Sequence, residues 1–258
     1  MILTVDLSNT HINIGCVDNE DVLFSCRIAA DKAKTADEYA VLLQLLLDRN
    51  HMQWNKLEGS ILSSVVPELT MTVTVALTSV CGKPPMLLGP GIKTGLNIHL
   101  DTPSSLGTDL VAASVGAQSL FPLPVVSIIM DTATAIGVTD NSGAYIGSII
   151  APGLIVSGDA LSRRASQLRS VMPQAPQHII GKNTDECMRS GIIYGTAAML
   201  DGLLAGIDEE LGTHANVIAT GICADLVIPY CKRPGIRIEP NLLHRGMWLI
   251  WKRNTKKS

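Results

Sequence analysis

Two short stretches, 125 residues apart, repeat one design. In each, an apolar run ends at an aspartate, and a turn of small hydroxyl and amide residues leads into a second apolar strand. Ile2, Leu3 and Val5 stop at Asp6, and Leu7-Ser8-Asn9-Thr10 leads to the alternating Ile12, Ile14 and Cys16. Val125 to Met130 stops at Asp131, and the small-residue turn Thr132-Ala133-Thr134-Ala135 leads to Ile136-Gly137-Val138-Thr139. Asp6-x-x-Asn9-Thr10 and Asp131-x-x-Thr134-Ala135 are one device used twice. A period this long is not that of a solenoid and predicts two duplicated lobes facing each other across a cleft.

Length agrees, since 258 residues at about 150 per domain give roughly 1.7 domains. Phe121-Pro122-Leu123-Pro124 punctuates the middle of the chain and divides it into lobes 1–121 and 122–258. With 47% apolar and 17% charged residues, each half can bury a core. A net charge of −3 and 3% aromatic residues supply neither the basic face nor the stacking platforms of a nucleic-acid binder. No apolar run approaches the ~18 residues of a membrane helix, and MILTVDL has no basic n-region, so the expectation is a cytoplasmic chain with no membrane partner. Six scattered cysteines without a C-x-x-C pair read as buried, reduced thiols. The basic tail from Lys252 to Lys257 reads as a solvated terminus.

The first lobe opens as a three-stranded meander closing on Val22-Leu23-Phe24. Thr35 and Glu38 form a capping box for a helix whose apolar face is Tyr39, Leu42, Leu43, Leu46 and Leu47. A strand ending in Ser63-Ser64-Val65-Val66-Pro67 follows, then a helix and a short strand before Pro84-Pro85. In the second lobe Met188, Ile192, Gly195, Met199, Leu203, Ile207 and Leu211 predict a helix from about Asn183, with Asn183 and Glu186 capping it. His214 to Gly221 reads as a strand, and Trp248 and Trp251 pack a C-terminal helix.

Short side chains at the repeated turns let backbone N–H groups and hydroxyls approach an anion, and a strand-end aspartate can hold a cation beside it. That combination suits ATP, although either turn alone is equally the signature of an ordinary hairpin. Neither G-x-x-x-x-G-K-[ST] nor G-x-G-x-x-G occurs, so a nucleotide enzyme would need another scaffold. Asp109 follows Gly107-Thr108 at the start of a small-residue helix. A carboxylate there is placed to take a proton from a substrate hydroxyl; equally, it is a first-turn aspartate favoured by the helix dipole.

Together these residues resemble the type III pantothenate kinases, within the acetate and sugar kinase/Hsp70/actin superfamily. The resemblance runs through Asp6 to Asn13, Ser63 to Pro67, Pro90 to Leu96, Gly107-Thr108-Asp109, Asp131 to Ala135, Ala151 to Leu154, Gly181 to Thr184 with Met188, Ser190 and Gly191, and Thr220-Gly221. It implies an α/β protein of two ribonuclease-H-like lobes with a central cleft, the actin-like ATPase fold. It further implies a homodimer that uses ATP, Mg²⁺ and a monovalent cation (K⁺ or NH₄⁺) to phosphorylate pantothenate, the first step of coenzyme A synthesis. By position, Asp6, Leu7, Ser8, Asn9, Thr10, His11, Ile12, Asn13 and Thr134 would contact ATP. Asp109 would be the proton acceptor. Gly107, Thr108, Asp109 and Leu110 would line the pantothenate pocket with Leu100, Thr184 would be a further substrate contact, and Asp131 the monovalent-cation ligand.

The chain departs from the family pattern where Ser8 and Ala133 replace glycines, Leu110 an arginine, Leu100 an aromatic and Ile222 a second glycine. Lost glycines narrow the approach of a phosphate, and a lost arginine removes a charge and a fork of donors. Two alternatives therefore stand beside the kinase: a weak or silent homologue binding nucleotide or pantothenate in a regulatory role, and a kinase of another small alcohol.

Overall fold

The computed structural model describes residues 1–255; Lys256 and Lys257 of the basic tail lie outside the described residues. In chain order the elements are β1 (Ile2–Leu7), β2 (His11–Asp18), β3 (Asp21–Ala29), α1 (Ala36–Arg49), β4 (Gly59–Ser64), α2 (Pro67–Cys81), β5 (Met86–Leu87) and β6 (Asn97–Ile98). Then come α3 (Thr108–Leu120), β7 (Val125–Met130), β8 (Ala133–Thr139), β9 (Ala144–Pro152), α4 (Leu154–Arg164), α5 (Thr184–Leu211), β10 (Asn216–Thr220), α6 (Ala224–Val227), β11 (Arg237–Ile238) and α7 (Leu242–Thr255).

Two sheets carry the fold, and their order states the duplication. The first runs β3-β2-β1-β4-β5, the second β11-β10-β7-β8-β9-β6. In each, three strands form an antiparallel meander and the first of them pairs in parallel with a later strand, β4 in one case and β10 in the other. This is the ribonuclease-H-like arrangement, twice. β1 and β7, each flanked by one antiparallel and one parallel neighbour, are buried along their whole length. The edge strand β3 alternates exposed with half-buried residues.

The compact units do not follow a single cut at 121/122. One consists of residues 1–96, 101–119 and 241–255, the other of 97–100 and 120–240. The reason lies in pairing and packing. β6 pairs with β9 of the second sheet, and α7 packs on β1, β2 and β4 of the first. Neither is visible in a linear composition profile.

Local signals were read well where a cap or an alternation spoke. Thr35 and Glu38 bond reciprocally as a capping box, and Asn183 accepts from the Glu186 N–H at 2.9 Å. The buried side of α1 is Tyr39, Ala40, Leu43 and Leu47, with Leu42 and Leu46 half-buried beside it. Three expectations need correction. No strand precedes Pro84-Pro85: α2 runs to Cys81, Gly82 ends it in the left-handed region at φ 71°, and β5 follows the prolines. Ala133, Thr134 and Ala135 belong to β8 rather than to a turn. The cysteines are all free, but only Cys16 and Cys223 are buried, and Cys187 is exposed.

Helix α5 is long and apolar enough to cross a membrane by length and composition. Its apolarity is used within the second unit, where Ile193, Ala197, Leu200, Leu204 and Ile207 join the core. That stripe follows the 3.6-residue period, so it lies one residue aside from much of the expected Met188–Leu211 series, and Gly195 faces outward.

In the first unit, α3 and α7 meet at glycines. A Cβ on Gly116 would lie 2.5 Å from the Leu242 carbonyl oxygen, and one on Gly246 would overlap the Ala112 carbonyl. The small residues of α3 are therefore a backbone-to-backbone contact surface. Beneath α7, His244 is buried against β1 and β2. Thr4 Oγ1 donates to the Gly15 carbonyl at 3.1 Å and lies 2.8 Å from His244 Nδ1, so the ring donates at Nδ1 as a neutral imidazole. Gly15 makes room, since a Cβ there would sit 2.7 Å from the ring. Burial, with the Arg27 charge adding to it, pushes the His244 pKa down from 6.5 to about 4.

Two measurements test this packing. Gly246→Ala should destabilise the protein by about 1–3 kcal/mol in urea unfolding, because neither backbone can yield without shifting a helix. The depressed His244 pKa means the unfolded chain takes up the proton first. Its contribution is complete above pH 6.5 and is lost as pH falls from 6.5 toward 4, about 3 kcal/mol in all. A stability unchanged from pH 7 to pH 4.5 contradicts a buried neutral imidazole, and His244→Gln should flatten the slope across that window.

Candidate active site

Asp6 is the buried charge of the first unit, 3% exposed in the middle of a sheet. The ladders place Asn13 beside it on β2 and Ser63 beside it on β4. Asn13 Nδ2 donates to Asp6 Oδ2 at 3.1 Å and Ser63 Oγ to Oδ1 at 3.0 Å. A buried carboxylate is tolerable only when such donors replace its water. Arg27 on β3 extends the set, donating from Nε to Asn13 Oδ1 at 2.6 Å.

The expected ATP loop is not uniform. Leu7 and Ile12 are apolar core residues, 0% and 2% exposed, whose side chains are committed to packing and offer nothing polar to a phosphate. Asn9 and Thr10 are exposed at the tip, with Ser8 and His11 half-buried beside them. Ser8 turns its hydroxyl onto the His11 carbonyl at 2.9 Å, closing the turn instead of projecting from it. Thr10 Oγ1 lies 2.8 Å from His11 Nδ1.

Asp109 occupies the first turn of α3, half-buried. Its Oδ1 accepts the Leu110 N–H at 2.8 Å. A Cβ on Gly107 would lie 2.5 Å from that same oxygen, so a larger residue there pushes the carboxylate aside. Thr108 Oγ1 lies 3.0 Å from Ser63 Oγ and 3.3 Å from the Ser64 carbonyl. Leu110, expected in the pocket lining, is 4% exposed and belongs to the core.

In the second unit the aspartate is placed differently. β1 ends at Leu7, one residue after Asp6, whereas β7 ends at Met130, one residue before Asp131. The two hairpins share a motif but not a register. Asp131 is half-buried, and its Oδ1 accepts the Ile222 N–H at 3.0 Å. Glycines close in on this turn. A Cβ on Gly221, at φ 100°, would lie 2.6 Å from the Met130 carbonyl oxygen, and one on Gly153 would overlap the Asp131 carbonyl. Thr134 is wholly buried, and its hydroxyl has no hydrogen-bond partner among the described residues. Leu100 follows β6, half-buried. Thr184 is exposed at the start of α5, where the Asn183 cap has already taken the Glu186 N–H and Asp185 and Glu186 make the first turn acidic. That terminus is less open to an anion than a bare one.

The residues that sequence reasoning missed as a group are Arg27 and Ser63. Ser63 stands in the Ser63 to Pro67 block, but its contact with Asp6 depends on β1 and β4 pairing in parallel, which no local pattern reveals.

Comparison with known proteins follows the same lines. The sequence profile described as type III pantothenate kinase matches residues 2–206. A type III pantothenate kinase of Moorella thermoacetica is 35% identical over 255 residues, covering 99% of this chain and 100% of its own. One from an Exiguobacterium species is 36% identical over 256 residues with the same coverage. Among solved structures, the ADPNP-bound activator of 2-hydroxyisocaproyl-CoA dehydratase from Clostridium difficile matches with a TM-score of 0.57 at 10% identity, covering 100% of this chain and 98% of that one. ROK hexokinase from Thermus thermophilus matches with a TM-score of 0.51 at 14% identity and 99% coverage of both chains. These likenesses give the fold, that of the actin-like ATPases. From the sequence comparisons, over nearly its full length, the chain belongs to the type III pantothenate kinase family.

Proposed function

We propose that this protein transfers the γ-phosphoryl group of ATP to the primary alcohol of pantothenate, giving 4'-phosphopantothenate at the first step of coenzyme A biosynthesis. The observation that carries this is full-length similarity to type III pantothenate kinases, with Asp109 in the first turn of α3. The Asp109 carboxylate accepts the hydroxyl proton as the alcohol oxygen attacks the γ-phosphorus in line; the bond to ADP breaks and ADP leaves. The loose transition state asks mainly for positioning, which Gly107 and the Leu110 N–H supply by fixing the carboxylate.

The ATP contacts we assign are the exposed tip Asn9-Thr10, the backbone of the Asp6 to Asn13 hairpin, and Thr134. The unpartnered Thr134 hydroxyl supports this, because a buried orphan of that kind costs about 1–3 kcal/mol until something satisfies it. Mg²⁺, which neutralises phosphate charge, would be held at Asp6 through water, since both Asp6 oxygens already accept protein donors. The remaining oxygen of Asp131 and carbonyls of its glycine-lined turn fit a monovalent cation, K⁺ or NH₄⁺. Leu100, Gly107, Thr184 and the backbone of Thr108 are the proposed pantothenate contacts, the Thr108 hydroxyl being engaged by Ser63 and the Ser64 carbonyl. The working form is a cytoplasmic homodimer.

A slow or silent homologue has one observation in its favour: buried Leu110 brings no positive charge to the acceptor. Phosphorylation of pantothenate by purified protein with and without K⁺ separates the readings. Asp109→Asn should lose on the order of 10²–10⁴-fold in kcat with an unchanged unfolding curve; a fully active variant removes Asp109 from its role. Gly107→Ala should lower kcat by ~10-fold or more by displacing the Asp109 carboxylate, with little loss of stability. Normal turnover in that variant means the carboxylate position is not critical.

A further inference from the structure

We propose that Ser63 and Thr108 are positioning residues, linking the buried Asp6 carboxylate to the first turn of α3 and thereby holding Asp109 in register with the nucleotide hairpin. This rests on the roles given above to Asp109 and the β1–β2 hairpin. An ionised carboxylate only accepts, so the single Ser63 proton is committed to Asp6 Oδ1 at 3.0 Å. Ser63 Oγ is then an acceptor toward Thr108 Oγ1, also at 3.0 Å. Thr108 Oγ1 also donates to the Ser64 carbonyl at 3.3 Å, so its single proton is shared between that oxygen and the nearer Ser63 Oγ. The result is a one-way series, Thr108 to Ser63 to Asp6.

The opposite side of Asp6 is held from the exposed edge of the sheet. Arg27 fixes Asn13 through Oδ1, which orients the Asn13 amide so that Nδ2 faces Asp6 Oδ2. Four side chains on β3, β2, β1 and β4 thus form one line ending on a helix, each in a neighbouring strand of the sheet. Ser63 is 0% exposed, so no water competes for its two bonds. Thr108 adjoins Asp109 in the chain, and Asp109 Oδ1 is pinned to the next N–H with no side chain at Gly107 to push it elsewhere. A displacement of Asp6 when a triphosphate settles on the hairpin is carried to the base through this line, because every link is buried or held by a neighbour. An apolar residue at 63 would pack equally well but would leave Asp6 Oδ1 without its donor and cut the line at its centre.

The test compares Ser63→Ala, Thr108→Val, Thr108→Ser and the double variant Ser63→Ala/Thr108→Val. Each is measured for thermal unfolding, for kcat and KM with ATP and pantothenate, and for hydrogen exchange at 107–111 with and without Mg²⁺ and a non-hydrolysable ATP analogue. Ser63→Ala and Thr108→Val should each lower kcat by about 10- to 100-fold, with KM for ATP within about threefold. The double variant should be no slower than the worse single, and Thr108→Ser should recover to within about threefold of the parent, because only the hydroxyl matters. The analogue should slow exchange at 107–111 in the parent, and this slowing should vanish in Ser63→Ala and Thr108→Val. Multiplying losses, a Thr108→Ser variant as slow as Thr108→Val, or analogue-induced slowing that persists in both variants overturns the proposal. Should Ser63→Ala fail to fold, Thr108→Val and its serine rescue decide. The exchange arm needs no turnover. Activity retained in Asp109→Asn, by contrast, counts against the base assignment, so the two failures are told apart.

Discussion

A single buried negative charge organises the first unit. Water would solvate Asp6 far better than a protein interior does, and the sheet compensates by presenting a donor from each flanking strand. That requirement fixes more than one side chain. β2 must offer an amide at position 13 and β4 a hydroxyl at position 63, and both ladders must hold their register, because a slip of one residue would point the donors to the other face. The charge is thus a specificity device as well as a chemical one. Its second-unit counterpart is freer: Asp131 stands beyond its strand, with only one oxygen committed to the Ile222 N–H. The same motif serves, on one side, as a structural anchor with a solvent-facing tip, and on the other, as a turn whose half-buried carboxylate accepts the Ile222 N–H.

The departures from the family pattern look different once placed. Ser8 turns its hydroxyl inward to close the hairpin, so the extra atoms do not project from the turn. Leu110 joins the core, which is a reasonable place for leucine and a poor one for arginine. The departures read from the sequence are therefore partly a change of local packing, at Ser8 on the nucleotide side and at Leu110 on the acceptor side.

Caps, alternations and hairpins were legible because their causes are local. Thr35 and Glu38, or Asn183 and Glu186, are complete within four residues, and strands β1 to β3 announce themselves through turns of known chemistry. What depends on distant pairing was not legible. The return of α7 to the first sheet, the insertion of β6 beside β9, and the Arg27–Asn13–Asp6–Ser63–Thr108 series all need partners tens to hundreds of residues away. Asp109 could be singled out only as a candidate, since a first-turn aspartate has the same sequence signature whether or not it reacts. The small residues of α3 were noticed, but their purpose, to let α7 approach backbone to backbone, required knowing what lies against them.

That last contact bears on how the molecule is born. α7 begins at Leu242, after every residue of the second unit has been made, yet it completes the first. A nascent chain leaving the ribosome therefore holds β1, β2 and β4 without their covering helix throughout synthesis of residues 120–240, and the unit begun earliest is sealed last. Shortening the chain from its far end would expose the apolar floor of the opening domain, and leave the later one largely untouched.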